Sequence, residues 1–229
     1  MRYCSPRARQ HGVTLTELLV GLALGLLVTS AIIQLLLSAR ESQRTQTALT
    51  DVQENGRGAL WVLGERIRLA GYDNPATPRR PVSPALRGTD DPDTIQITYE
   101  GGDDIVDCQG QAVPEDTVRT ERIEIVDGAL RCSLWAESLV DGISDLHILY
   151  GLDTDLPADG IANRFVNATE VGTGWGQVTS VRLALLVATE DEIGMDLDTR
   201  ALTLLDDVSG PFNDRRLRTV FSTTVQLRN

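Results

Sequence analysis

Lysine is absent, and all 21 basic residues are arginine. Histidine occurs twice, as His11 and His147, and His11 lies ahead of the first apolar run. One histidine in the body of the chain leaves little material for histidine-based catalysis or a multi-histidine metal site. Of three cysteines, Cys4 sits near the N-terminus, so Cys108 and Cys132 are left as an even pair. Such a pair suits one disulfide in an oxidising compartment. Aromatic residues make up 4% of the chain. Trp61, Trp135 and Trp175 therefore read as core or interface residues, not as a stacking platform for single-stranded nucleic acid. There is no P-loop, no Rossmann glycine pattern and no HExxH pair. Together these absences argue against an enzyme.

Charge narrows the partners. The formal net charge is −12, and losing Arg2, Arg7 and Arg9 would take it three units lower. Such a surface repels nucleic-acid phosphates, so no nucleic-acid partner is expected. Hydrophobic residues make up 41% of the 229-residue chain, enough for one modest folded domain plus an anchor.

Residues Leu18 to Leu37 form an apolar run without charge. At about 1.5 Å per residue it spans a hydrocarbon core of about 30 Å. Three arginines precede it, and Arg40 and Arg44 follow, so the charge asymmetry favours a cytoplasmic N-terminus. No proline occurs between Val13 and Asn74. Beyond the run, Leu49, Val52, Gly56, Ala59, Leu63, Ile67 and Ala70 recur every three or four residues, the stripe of an amphipathic helix. One helix from about Val13 to about Ala70 is expected, closed by Gly71 and Pro75. Thr77 to Pro92 reads as a loop rich in proline and arginine. Strand patterns follow at Thr94–Tyr99, Arg122–Val126, Ala129–Leu134, Ile143–Tyr150, Val178–Val187 and Arg218–Leu227. Asp127-Gly128 suits a type I′ hairpin turn. The fold class is α+β, with a long N-terminal helix packed on a mainly antiparallel β-sheet.

The most unusual residue is Glu17, at the head of the apolar run. A carboxylate inside a membrane span costs on the order of 3 kcal/mol, so something must offset it. The stretch Gln10-His-Gly-Val-Thr-Leu-Thr-Glu17-Leu-Leu-Val20 resembles the type IV prepilin signature. The resemblance implies cleavage by prepilin peptidase between Gly12 and Val13 and N-methylation of Val13. It also implies that Glu17 pairs with the new terminus of a neighbouring subunit during assembly. Valine stands where the family most often has phenylalanine. An ordinary secretory signal, cut after Ser30, is the competing reading and leaves Glu17 without a purpose. Gly21 and Gly25, four apart, would let neighbouring helices approach closely. The resulting domain plan is a leader over 1–12, a transmembrane or filament-core helix over 13–37, its amphipathic continuation over 38–72, and a β-rich periplasmic domain over 73–229.

The rest of the chain is similar to PilW-type minor pilins. The similarity rests on Asp107-Cys-Gln-Gly110, Gly128-Ala-Leu-Arg-Cys132, Leu139-Val-Asp-Gly-Ile143, Leu149-Tyr-Gly-Leu-Asp153, Trp175, Val181–Leu186 and the closing Thr224–Asn229. It implies a low-abundance pilus subunit that helps prime assembly beside other minor pilins and the major pilin. The implied location is the inner membrane, in contact with its lipid, with a periplasmic C-terminal domain, and later the pilus. No cofactor is implied. The rivals are a type II secretion pseudopilin, which shares the anchor chemistry, and a membrane-anchored periplasmic enzyme or binding protein.

Asp153-x-Asp155-x-x-x-Asp159-Gly160 has part of a calcium-loop pattern. Pro157 occupies a ligand position and no closing glutamate follows, so a solvated acidic turn is the simpler reading. Other acidic groups, among them Asp90-Asp91-x-Asp93, read as loop ends. His147 sits in an alternating strand and reads as a half-buried strand residue.

Overall fold

The computed structural model describes residues 14–75, 82–133, 135, 137–194 and 196–227. Helix α1 runs from Leu15 to Leu69. With no proline inside it, no backbone N–H is missing from its ladder. Gly71, at φ +74°, then turns the chain away in a left-handed conformation that glycine adopts without strain.

By its contacts the chain forms two units, one ending at Gln46 and one starting at Thr47. In the first unit, α1 is apolar on every side from Leu18 to Leu37, and its described residues are exposed from Thr14 to Arg44. An all-round apolar helix is built for a non-aqueous surrounding. By length and composition α1 suffices to cross a membrane.

In the second unit α1 is amphipathic. Val52, Gly56, Ala59, Leu63, Gly64 and Ile67 are buried. Leu49, expected in the same stripe, is 39% exposed, because burial starts only at Val52. Trp61 is 68% exposed and so is not a core residue.

The strands are all antiparallel and form two main sheets where the sequence suggested one. The first sheet is a meander of β1 (Leu86–Asp90), β2 (Asp93–Glu100), β3 (Val118–Val126), β4 (Ala129–Cys132) and β5 (Ser138–Asp141). The second has the order β11–β8–β6–β7, from β6 (Ile143–Leu152), β7 (Arg164–Val166), β8 (Val178–Ala188) and β11 (Arg218–Gln226). A small hairpin pairs β9 (Leu202–Leu204) with β10 (Asp207–Ser209). A one-turn helix α2 (Ala168–Val171) follows β7, then a 3₁₀ turn over Gly174–Gln177.

Strand β1 lies inside the stretch read as a loop. Its sequence, Leu-Arg-Gly-Thr-Asp, lacks apolar alternation and is extended because it pairs with β2 from Leu86↔Ile97 to Asp90↔Asp93. The β3–β4 turn has φ +54° at Asp127 and +73° at Gly128, the paired positive angles of a type I′ hairpin. One residue, Gly142, carries the chain from β5 in the first sheet to β6 in the second. Its φ is +77°, and an added Cβ would sit 3.0 Å from the Ala188 carbonyl oxygen. A left-handed angle and a crowded flank together call for glycine there.

The core lies between α1 and the two sheets. Leu63 and Ile67 share it with Ile95, Ile97, Ile123, Leu130, Ile148, Leu183 and Leu185, all fully buried. Strand β8 is buried along most of its length because both its faces are covered. Val181, Leu183, Leu185 and Val187 face the main core, whereas Ala184 and Leu186 meet Leu204 in a second cluster with Leu202, Phe212 and Val220. This explains why Val181–Leu186 reads as a nearly continuous apolar run. The Phe221 ring occupies the space a side chain at Gly56 would need, so the helix and β11 approach closely there.

Candidate functional site

The N-terminal site is built on the first turns of α1. The hydroxyl oxygen of Thr14 accepts a hydrogen bond from the backbone N–H of Glu17 at 3.3 Å. Thr14 therefore caps the helix in the spacing Thr-x-x-Glu. Glu17 lies in the first turn, where the helix dipole favours a negative charge. Glu17 thus has a local role in starting the helix, a role missed when the chain was read only as a membrane span. The signal for it, Thr14 three residues before Glu17, was present in the sequence.

An open groove on the same helix is lined by Glu17, Leu18, Gly21, Leu22, Gly25 and Thr29, among others. An added Cβ at Gly21 or Gly25 meets nothing within 4 Å, so both glycines leave the backbone bare for a neighbour. The Thr29 hydroxyl donates to the Gly25 carbonyl at 2.8 Å, which satisfies it without water. Gly12 and Val13 lie outside the described residues.

Cys108 and Cys132 form a disulfide, with Cα atoms 6.4 Å apart. Beside it Glu121 is fully buried. One of its oxygens accepts from the Tyr99 hydroxyl at 2.6 Å and from the Cys108 N–H at 2.8 Å. The other lies 3.7 Å from the guanidinium of Arg66 on α1, which also donates to the Val106 carbonyl at 2.7 Å. Burial, then the bond to Glu121, pushes the Tyr99 phenol above its ordinary pKa, so it stays a donor. This network ties the disulfide lobe to the helix. Glu121 shares its face of β3 with Ile123 and Ile125, so its phase in the alternation was the one signal of burial that the sequence carried, and its partners were not visible there.

Asp153, Asp155 and Asp159 come together, with one carboxylate oxygen of each within 4.8 Å of the others. Backbone donors already use this loop. Asp153 accepts from the N–H groups of Asp155 and Gly160, and Asp159 accepts from Ile161. Asp155 accepts from the Asn163 amide. These bonds account for the loop geometry without an ion.

The acidic groups read as loop ends prove more specific. Asp90 accepts from the N–H groups of Ala168 and Thr169, so it caps α2 from across the fold. Asp93 bonds His147 Nδ1 at 2.8 Å, while His147 Nε2 bonds Asp206, in the β9–β10 turn, also at 2.8 Å. His147 thus joins both main sheets and the hairpin. Burial opposes its charge, but the bonds to Asp206 and Asp93 outweigh burial and raise its pKa above the usual value. Burial also pushes Asp93 up to about 7, with Asp90 and Asp145 adding to the rise and the bond from His147 opposing it.

Both shifts have the same sign for stability. A raised histidine stabilises the fold below its unfolded pKa of about 6.5, and that gain fades as pH rises through the higher folded value. A raised aspartate keeps a proton that the unfolded chain releases near pH 4, so it too favours the fold in acid and fades up to about pH 7. The midpoint of thermal unfolding is therefore expected to fall from pH 5 to pH 8. Asp93→Asn, which removes one raised group and one of the two carboxylates that raise the other, should flatten that slope, as differential scanning calorimetry would measure. An equal slope in the variant would contradict the assignment.

Residues 115–229 match the family described as Type IV Pilus-assembly protein W. Residues 7–33, which include Gly12, Val13, Glu17, Gly21 and Gly25, match the Prokaryotic N-terminal methylation motif. Among solved structures, the chain is similar to the type IV-like pilin TTHA1219 from Thermus thermophilus. The two are 21% identical, with a TM-score of 0.49, over 78% of this chain and 95% of that one. A search of the curated proteins found no match. With half of its length matched, the chain belongs to the PilW family of type IV pilus-assembly proteins, and it is a minor pilin, a structural subunit and not an enzyme.

Proposed function

We propose that this minor pilin is stored as a single-pass inner-membrane protein with a periplasmic domain and passes from there into the pilus. In this reading residues 1–12 are a leader removed by prepilin peptidase, and the new terminus, Val13, is N-methylated. Residues 13–37 are the membrane and filament-core helix, 38–72 its amphipathic continuation, and 73–229 the exported domain. Other minor pilins and the major pilin are its partners, and its task is to help start the filament.

The observation that carries this is Glu17, placed at the head of a helix whose apolar side chains lie exposed. A carboxylate there is costly in lipid, by on the order of 3 kcal/mol, and a neighbour's terminal amine offsets that cost. The bare backbone at Gly21 and Gly25 supports close packing of the neighbouring helix.

Glu17→Val tests the reading. Cleavage and membrane insertion should persist, because the leader is untouched and the span becomes more apolar. Co-purification with other pilins, and piliation of the cells, should drop by at least about tenfold, given the energy at stake. Unchanged recruitment with unchanged piliation would sink the pairing role. N-terminal analysis of the same extracts should find methylated Val13, whereas a chain starting at Ala31 would indicate a secretory signal.

A further inference from the structure

Strand edges expose unpaired N–H and C=O groups, and proteins usually guard them by shortness, charge, proline or bulges. The outer edges of the two main sheets differ in this respect. Strand β1 is five residues long and carries Arg87 and Asp90, β5 has four residues, and β7 has three. Strand β11 has nine residues, Arg-Thr-Val-Phe-Ser-Thr-Thr-Val-Gln, with no charge after Arg218 and neither proline nor glycine. It pairs with β8 without a register shift and is the end strand of its sheet.

The hydrogen-bond phase of β11 follows from its two ends. The Leu227 N–H bonds the Thr179 carbonyl at 2.9 Å, and the Thr189 N–H bonds the Leu217 carbonyl at 3.0 Å. In an antiparallel ladder the bonded residues alternate. Odd-numbered residues of β11 therefore face β8. Val220, Ser222, Thr224 and Gln226 send their N–H and C=O groups outward, and among the described residues no other strand pairs with that side.

We infer that this edge accepts an extended segment of a different protein as an added strand, and that the segment is uncharged along its length with carboxylates at its C-terminal end. Charge sets that end. Arg215 and Arg216, just before β11, are exposed in a chain of net charge −12. Arg218, by contrast, is held by Asp214 through two bonds of 2.6 Å. An antiparallel strand brings its C-terminal end alongside Arg215 and Arg216.

Charge argues against a second copy of the chain. Antiparallel pairing of two copies through β11 would set the Val225–Leu227 end of one, which carries no carboxylate, beside Arg215 and Arg216 of the other. Parallel pairing would bring Arg215 and Arg216 of both copies together.

The test uses the full chain in detergent micelles and a synthetic acetylated peptide, Val-Thr-Val-Thr-Val-Ser-Val-Asp-Glu, with residue-resolved amide hydrogen exchange as readout. The peptide should slow exchange at Val220, Ser222, Thr224 and Gln226 by at least about tenfold, with little change at the odd residues already bonded to β8. The same peptide ending in Arg-Lys should protect less. Ser222→Pro removes an outward N–H and should abolish protection; Ser222→Lys, which leaves the backbone unaltered, should weaken it. Absence of protection, or protection indifferent to both variants, would overturn the proposal. Sedimentation that showed the chain pairing with itself through this edge would overturn the choice of occupant. None of these outcomes depends on Glu17, so failure here and failure of the assembly reading are told apart.

Discussion

Serine at both Cys108 and Cys132 should lower the stability of the β-rich unit by about 3 kcal/mol. The bridge joins residues 24 apart in sequence, and opening a loop of that length restores roughly this much chain entropy to the unfolded state. The loss should not stay local. Glu121 accepts the Cys108 N–H and is fully buried, so loosening of the lobe exposes a network that also includes Tyr99 and Arg66. A buried carboxylate that loses its donors is costly. Urea unfolding of the double variant should show a lower midpoint and a steeper slope, because the unlinked denatured chain exposes more surface. Non-reducing mass mapping of the native protein should recover the Cys108–Cys132 pair, and an unchanged midpoint would show that the bridge is dispensable.

Leu63→Ala should cost about 2–5 kcal/mol, the range for removing a fully buried leucine from a packed core. Leu63 is completely buried where α1 meets the core residues of both sheets. Its loss leaves a void that the helix can close only by shifting, and the nearby contact between Gly56 and Phe221 leaves little room for a shift. Leu49→Ala, at a residue 39% exposed, should cost well under about 1 kcal/mol. Thermal unfolding of the two variants side by side checks this. Equal losses would mean that the helix face is assigned wrongly.

The elements legible in the sequence were those with a local cause. An unbroken helix requires the absence of proline, and α1 runs almost as far as that absence allows. Asp127-Gly128 marked a hairpin because few residue pairs tolerate two positive φ angles. Alternation marked β2, β6 and β11. The candidate assembly site was legible for the same reason: a carboxylate, a glycine pair and an apolar run are unusual neighbours whatever surrounds them.

What the sequence could not show depended on partners distant along the chain. Strand β1 is extended because β2 lies beside it, and its own composition argues for a loop. The division into two sheets turns on Gly142, one of many glycines until the flanking Ala188 carbonyl is seen. Asp90, Asp93, Glu121 and His147 looked like ordinary polar residues, and each acquired its role from a group more than ten residues away. The sequence by itself determined the anchor, the long helix and the pilin class, because those follow from composition and short-range spacing. Only the tertiary structure decided which carboxylates are buried, where the histidine forms its bridge, and which strand is left with an open edge, because those properties belong to pairs of segments and not to any one of them.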